Sequence, residues 1–210
     1  MPVRTRRRLP CDAGHRAATL VTGDGEAVVD LPVGRWHGPA DAADLALLGT
    51  VADPVLDVGC GPGRIVAALA GAGRLALGVD PSPAAVDLAL RRRAPVLRRS
   101  VFGELPGEGR WGTVLLLDGN VGIGGDPVVL LRRSRALLRP GGQVVAEVGP
   151  PGSATGALTV RVEAFAGVSP WFPWARVAAD AFAGLARDAG LRPGTGETVA
   201  GRWFARAWRP

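Results

Sequence analysis

Val55-Leu56-Asp57-Val58-Gly59-Cys60-Gly61-Pro62-Gly63-Arg64 is a short apolar run that turns through three glycines into an apolar-periodic segment ending near Ala72. It reads as strand, tight turn and helix. Val55 to Val58 suits a fully buried parallel strand, and glycine at 59, 61 and 63 lets the backbone come close to a ligand. The helix that follows begins with free N–H groups facing the turn, an arrangement that favours a carboxylate or a phosphate. A Gly-x-Gly-x-Gly alone serves equally well as a plain strand-to-helix connection, so its context decides the reading.

That context is Leu75-Ala76-Leu77-Gly78-Val79-Asp80, a second apolar run ending in a carboxylate just before Pro81. The two runs make a βαβ unit. An acid at the tip of the second strand, about 20 residues after the glycines, sits where it can accept hydrogen bonds from the hydroxyls of a ribose. Three roles are open to Asp80: that one, capping of the helix that starts near Pro83, and opening a turn with Pro81. A dinucleotide fingerprint requires glycine or alanine where Arg64 stands, because close packing of helix on strand excludes a long side chain. Arg64 therefore argues against a nicotinamide enzyme.

Val-Leu-Asp-Val-Gly-Cys-Gly-Pro-Gly-Arg at 55–64, followed by Leu-Gly-Val-Asp at 77–80, resembles the class I S-adenosylmethionine-dependent methyltransferases. Leu138-Arg139-Pro140-Gly141-Gly142-Gln143 is similar to that family's turn before its fifth strand, so the resemblance spans roughly residues 50–150. It implies an α/β, Rossmann-like, doubly wound sheet of seven mostly parallel strands with helices on both faces. It implies S-adenosyl-L-methionine as cofactor, with Asp57, Gly59, Cys60, Gly61 and Gly63 around the methionine end and Asp80 with Pro81 at the ribose. The family places adenine near Ser100-Val101-Phe102. Many members have an acid there, whereas this chain has Ser100, with Glu104 somewhat later. The N–H of Val101 and the ring of Phe102 remain as base contacts, and Phe102 serves equally well as core.

Composition narrows the class. All 25 basic residues are arginine, there is no tyrosine, and the net charge is +6. The arginines are interleaved with acids along the chain, which fits a basic enzyme without a nucleic-acid role better than a nucleic-acid binder. Cys11 and Cys60 are too few and too differently placed for a disulfide framework or a zinc site, so no metal is expected, and a reducing cytoplasm fits. Arg4, Arg6, Arg7 and Arg8 read as a solvated tail, and no run approaches the roughly 18 apolar residues that span a membrane. Residues 1–50 read as tail, hairpin and cap helix, and 51–210 as one domain.

In the leader, Ala18 to Val21 and Ala27 to Val29 flank Gly23-Asp24-Gly25, a hairpin signal. Leu31 to Gly38 leads to a helix with Pro39 in its first turn and Leu45, Leu47 and Leu48 on its apolar face. After Asp80, a helix is expected over Pro83 to Arg93 and a short strand at Pro95 to Leu97. Trp111 to Asp118 is a buried strand, and ligands in open α/β sheets bind outside such carboxyl ends, which places Asp118, Gly119 and Asn120 at a site. The same polar groups beside so many glycines also suit bonds to loop backbone. Pro127 to Leu138 reads as a helix and Gln143 to Val148 as a strand. Thr159 to Glu163 alternates like an exposed strand, and Val177 to Ala189 reads as a helix stopped by Gly190. Residues 195–200 and 202–208 read as a closing hairpin. Ser169-Pro170-Trp171-Phe172-Pro173-Trp174 is a rigid aromatic loop that either lines an apolar pocket or staples itself to the core.

Transfer of a methyl group from a sulfonium needs no nucleophilic residue; it needs alignment. His37 is the candidate base, with a structural role as the alternative, and Trp36, Asn120, Trp171 and Trp174 are candidate contacts to the acceptor. Arg35 and Trp36 are alternatively placed to reach the cofactor's carboxylate and rim. A small-molecule acceptor is expected. The rivals are methylation of RNA or protein, which requires a contiguous basic face, and an inactive cofactor-binding scaffold. Oligomeric state is open.

Overall fold

The computed structural model describes residues 18–23, 27–164 and 167–210. The readings on Arg4, Arg6, Arg7, Arg8, Cys11, His15 and the Asp24-Gly25 turn lie outside the described residues. In chain order the elements are β1 (Ala18–Thr22), β2 (Ala27–Leu31), α1 (Val33–His37), α2 (Ala42–Leu48), β3 (Val55–Val58), α3 (Arg64–Gly71), β4 (Ala76–Val79), α4 (Pro83–Arg91) and β5 (Val96–Leu97). There follow β6 (Trp111–Leu116), α5 (Pro127–Leu137), β7 (Leu138–Val148), β8 (Gly156–Ala164), β9 (Gly167–Val168), β10 (Phe172–Arg176), α6 (Ala179–Asp188), β11 (Arg192–Pro193), β12 (Glu197–Val199) and β13 (Arg202–Trp208). None of the described helices is long and apolar enough to cross a membrane.

The main sheet runs β5-β4-β3-β6-β7-β13-β11. Its first five strands are parallel, and β13 returns antiparallel against β7. The outer edge of β13 is shared by β11, opposite Trp208, and β12, opposite Arg202 to Phe204. The closing hairpin is thus present, and the last of the seven positions is filled by two short strands. Side chains alternate between the two faces. Leu56, Val58, Val114, Leu116, Val144 and Ala146 join one buried cluster with Leu130, Leu137 and Phe182 of α5 and α6. Val55, Leu115, Val145 and Phe204 join the other, with Leu47, Leu48, Ile65 and Leu69 of α2 and α3. Both faces are covered, which is why these strands read as continuous apolar runs rather than alternating ones.

A second, antiparallel sheet has the order β10-β8-β1-β2, with β9 beside β8. The leader hairpin forms as expected but is not free-standing: Leu20 of β1 pairs with Val162 of β8. The expected aromatic loop is in part β10, whose Phe172 and Trp174 pair with Val160 and Leu158. Its strand character was hidden by Pro173, which disfavours a central strand; β10 is hydrogen-bonded to β8 at the end of the sheet order, where proline is tolerated. This sheet sits against the 3-10 turn Asn120–Gly122 that follows β6. A Cβ on Gly122 would stand 1.9 Å from the carbonyl oxygen of Ala175 in β10.

Two helix readings change. α2 starts at Ala42 behind Asp41, which accepts from Asp44 N at 2.8 Å while Asp44 accepts from Asp41 N at 3.1 Å, so a capping box rather than Pro39 opens the helix. Leu45 is 55% exposed, and it is Asp44 that points inward. The reason is that Asp44 has buried arginine partners that no local pattern discloses.

Candidate functional site

The glycine turn and the carboxyl ends of β3, β4, β5 and β6 open into one cavity of about 880 Å³. Gly59, Gly61 and Gly63 have φ of 69°, 53° and 76°, in the left-handed region that a side chain resists. Their surroundings differ. A Cβ on Gly61 would meet nothing within 4 Å, so the backbone there faces open space. A Cβ on Gly59 would stand 2.7 Å from the Asn120 amide, and one on Gly63 would stand 2.8 Å from Ala89 Cβ in α4. Gly63 therefore packs α3 against α4 and is not part of the cavity lining.

Asp57 and Asp80 face this turn. Asp80 Oδ2 accepts from Gly61 N at 3.0 Å and Oδ1 from Ser82 N at 2.8 Å, while Ser82 Oγ caps α4 by accepting from Ala85 N. The capping role open to Asp80 thus belongs to Ser82, and Asp80 braces the turn while still lining the cavity. Asp57 is 3% exposed, and its carboxylate accepts no hydrogen bond from any described residue. Burial, and secondarily the nearby Asp80, push its pKa up to about 8. Burial also raises Asp80, against the hydrogen bonds from Ser82 and Gly61. Burial and then Asp57 hold the Cys60 thiol protonated. A positively charged ligand lying along these carboxylates would relieve the strain on both.

Towards β5 the lining is Arg99, Ser100 and Val101, with Leu88 of α4. Ser100 Oγ accepts from Phe102 N at 3.3 Å, and Val101 is buried. Phe102 does not line the cavity: it is 45% exposed, with its ring against Gly124.

Beneath the β6 end lies a group of charges that the sequence did not disclose. Arg64 is 4% exposed, and its guanidinium donates to Asp44 and, at 2.8 Å, to Asp118 Oδ2. Arg202 on β13 donates to Asp44 at 2.7 Å and to Glu147 at 2.7 and 2.9 Å, and Glu147 also accepts from Asp118 N at 2.7 Å. Arg35 of α1 donates to Asp118 from above. Three guanidiniums thus face three carboxylates, so each of these charges has an oppositely charged partner. Burial, with repulsion from Arg35 and Arg202, lowers Arg64 to about 10; burial and Arg202 lower Arg35. The clue in sequence was Glu147, the one carboxylate in an otherwise apolar strand. Asp118 has φ 55° and Gly119 has φ 81°; the latter shapes the loop without lining the cavity. The Asn120 amide nitrogen donates to Val58 O at 2.9 Å and Gly59 O at 3.0 Å, tying the β6 loop to the glycine turn.

The roof comes from α1 and the second sheet. Val33, Trp36 and His37 of α1, Val162 and Ala164 of β8, and Phe172, Pro173 and Trp174 of β10 all line the cavity. Phe172, Pro173 and Trp174 belong to the stretch for which lining an apolar pocket was one of two readings, whereas the β8 contribution was missed, although Val162 follows the period-2 alternation of its strand. Trp171 stays outside, 44% exposed with the Arg161 guanidinium 4.7 Å from its ring centroid, because it precedes β10. His37 is exposed at the rim.

The described residues contain no cluster of metal-ligating side chains. A family described as "Methyltransferase domain" matches residues 3–193. A Bacteroides fragilis S-adenosylmethionine-dependent methyltransferase solved with S-adenosyl-L-homocysteine superposes with a TM-score of 0.75 at 19% identity, covering 92% of this chain and 88% of its own. The Burkholderia thailandensis 1,6-didemethyltoxoflavin-N1-methyltransferase, solved with both ligands, gives 0.56 at 26% identity over 83% and 78%. A sugar N-methyltransferase from Streptoalloteichus gives 0.57 at 20% identity over 74% and 79%. With the glycine turn, the two strand-tip acids and the strand order in place, the chain belongs to the methyltransferase-domain family, as a class I S-adenosylmethionine-dependent methyltransferase.

Proposed function

We propose that the protein transfers the methyl group of S-adenosylmethionine to a small-molecule acceptor held under the second sheet. The observation that carries this reading is the continuity of the cavity, which runs from Ser100 and Asp80, past the glycine turn, to Trp36 and Trp174. Its volume falls at the upper end of the about 300–1,000 Å³ typical of small-molecule sites, room for a nucleoside-bearing ligand and a modest second molecule. The residues fit the cofactor: Gly61 leaves backbone open, Asp57 has no cationic partner among the described residues, and Asp80 stands at the tip of β4. On this reading Asp57, Gly59, Cys60 and Gly61 hold the methionine end, Asp80 and Pro81 the ribose, and Ser100 and Val101 the base. Asp118 orders Arg35 and Arg64 beside the methionine end.

When bound, the cofactor would supply an activated methyl group for transfer to the acceptor. The chain's own contribution is to align and enclose. Asn120 locks the β6 loop to the turn, Trp36 and Trp174 hold the acceptor, and His37 at the rim is placed to pass a proton to bulk water. We further read residues 1–50 as a leader to a methyltransferase domain over 51–210, in a reducing cytoplasm that suits the free Cys60 thiol. The 1,6-didemethyltoxoflavin-N1-methyltransferase, at 26% identity, was solved with bound 1,6-didemethyltoxoflavin, which supports the small-molecule reading.

Isothermal titration with S-adenosylhomocysteine and with NADH, repeated on Asp80→Ala, tests the assignment. Binding of the first ligand alone is expected, weakened at least about tenfold (1.4 kcal/mol) in the variant. Absence of binding at millimolar concentration would remove the reading.

A further inference from the structure

Charge sorts the two sides of the cavity. Its lining carboxylates, Asp57, Asp80 and Asp118, all come from the carboxyl ends of main-sheet strands, and Asp118 is already shared by Arg35 and Arg64. The roof is different. Among the described residues, α1, β8 and β10 contribute no carboxylate to the lining: they present Val33, Trp36, Val162, Ala164, Phe172 and Trp174. The acid nearest in sequence, Glu163, does not line the cavity and is paired with Arg161 at 2.5 Å. An ammonium group brought under this roof would lose its hydration and meet no carboxylate from the described roof residues. A flat aromatic ring would exchange water for Phe172 and Trp174, whose rings stand edge to face at 6.1 Å and 86°, a geometry that leaves ring faces and edges for a third partner.

The supply of bases points the same way. Asp118 is committed to Arg35 and Arg64, with Arg202 at 3.8 Å, and burial and the nearby Asp57 keep the Cys60 thiol protonated. Among the described residues of the roof, His37, exposed at the rim, is the group placed to take a proton from the acceptor side. The described residues of the roof therefore hold no strongly basic site for removing a tightly held proton.

Resting on the methyltransferase reading above, we propose that the acceptor is a planar aromatic or heteroaromatic molecule with a weakly acidic ring hydroxyl or ring N–H, which reacts as its anion and not as an amine. The acidic proton leaves for bulk water, directly or through His37. The oxygen or nitrogen lone pair then bonds to the sulfonium methyl carbon, the carbon–sulfur electron pair stays on sulfur, and both opposite charges are discharged together.

The test is sequential titration of the full chain. S-Adenosylhomocysteine is added first, and failure at that step would overturn the methyltransferase reading itself before any acceptor is present. With that ligand saturating, 7-hydroxycoumarin, lumazine and methyl glucosaminide are titrated in turn. The two aromatic probes are expected to bind at least about tenfold more tightly than the amino sugar. Trp174→Ala is expected to weaken them by about tenfold or more while S-adenosylhomocysteine affinity stays within about twofold, and Trp174→Phe to restore most of the loss. Should Trp174→Ala fail to fold, Phe172→Leu provides the same readout. Equal or tighter binding of the amino sugar overturns the proposal. So does failure of every probe to bind the S-adenosylhomocysteine complex, or aromatic affinity that ignores both substitutions.

Discussion

Arg64 Nη2 stands 2.8 Å from Asp118 Oδ2 while the other end of the same guanidinium donates to Asp44, so one side chain bolts the first turn of α3 to both α2 and the β6 loop. The position that in a dinucleotide fingerprint must be small is here filled by a long side chain with its own buried partners.

Asp44 is the network's most exposed weakness in energetic terms, because it is fully buried and serves Arg64, Arg202 and the start of α2. Removing one partner of a buried ion pair strands the other charge, at about 3–5 kcal/mol. Asp44→Ala is expected to lower unfolding free energy by an amount in that range in urea titration. A loss below about 1 kcal/mol, the size of an exposed pair, would show that water reaches these groups.

Asp57 sets a pH dependence whose sign follows from its raised pKa. The folded-state value, about 8, exceeds the ordinary 3.8, so the folded chain keeps a proton that the unfolded chain releases. The associated stability is complete below about pH 4 and is lost as pH rises through about 8. Asp57→Asn removes the ionisable group, so its Tm relative to wild type should rise between pH 5 and pH 9, by at least about 2–4 °C for each 1 kcal/mol recovered. A cationic ligand needs the ionised form, so wild-type affinity for S-adenosylmethionine should tighten towards pH 8, by at most about tenfold per pH unit, and that slope should vanish in Asp57→Asn.

Gly122 is where the roof rests on the β6 loop. An added Cβ would fall 1.9 Å from the Ala175 carbonyl oxygen, which is backbone and cannot swing aside. Gly122→Ala should destabilise by about 1–3 kcal/mol, as overpacking does, and should weaken acceptor binding more than S-adenosylhomocysteine binding. Calorimetry of both ligands on the variant checks the split.

Arg92 holds α1 from below. Its guanidinium donates to the carbonyls of His37, of Gly38 at 2.9 Å and of Trp36 at 3.3 Å. Arg92→Met should loosen α1 and raise the S-adenosylhomocysteine dissociation constant about three- to tenfold, the equivalent of about one net hydrogen bond. Faster amide exchange confined to residues 33–38, with α3 and the main sheet unchanged, is the accompanying signature.

Most of the main sheet could be read directly because its signals are local. Val55, Leu56, Val58 and Leu115 to Leu117 are apolar because both faces of their strands are covered, and Gly59, Gly61 and Gly63 are glycine because the turn needs positive φ. Asp80 was legible for the same reason: it follows a strand at a fixed distance from that turn. Phe102 and Trp171 misled because an aromatic beside a site looks alike in sequence whether it faces the cavity or solvent.

The chain by itself determined the glycine turn, the strand-tip acids and the succession of strands and helices along the main sheet's segments, since each rests on sterics and periodicity within a few residues. Only the tertiary structure decided the roof and the charges beneath it. β1 finds β8 across most of the chain, and Arg202 reaches Asp44 over 158 residues, pairings selected by burial and charge compensation between elements that no local pattern connects.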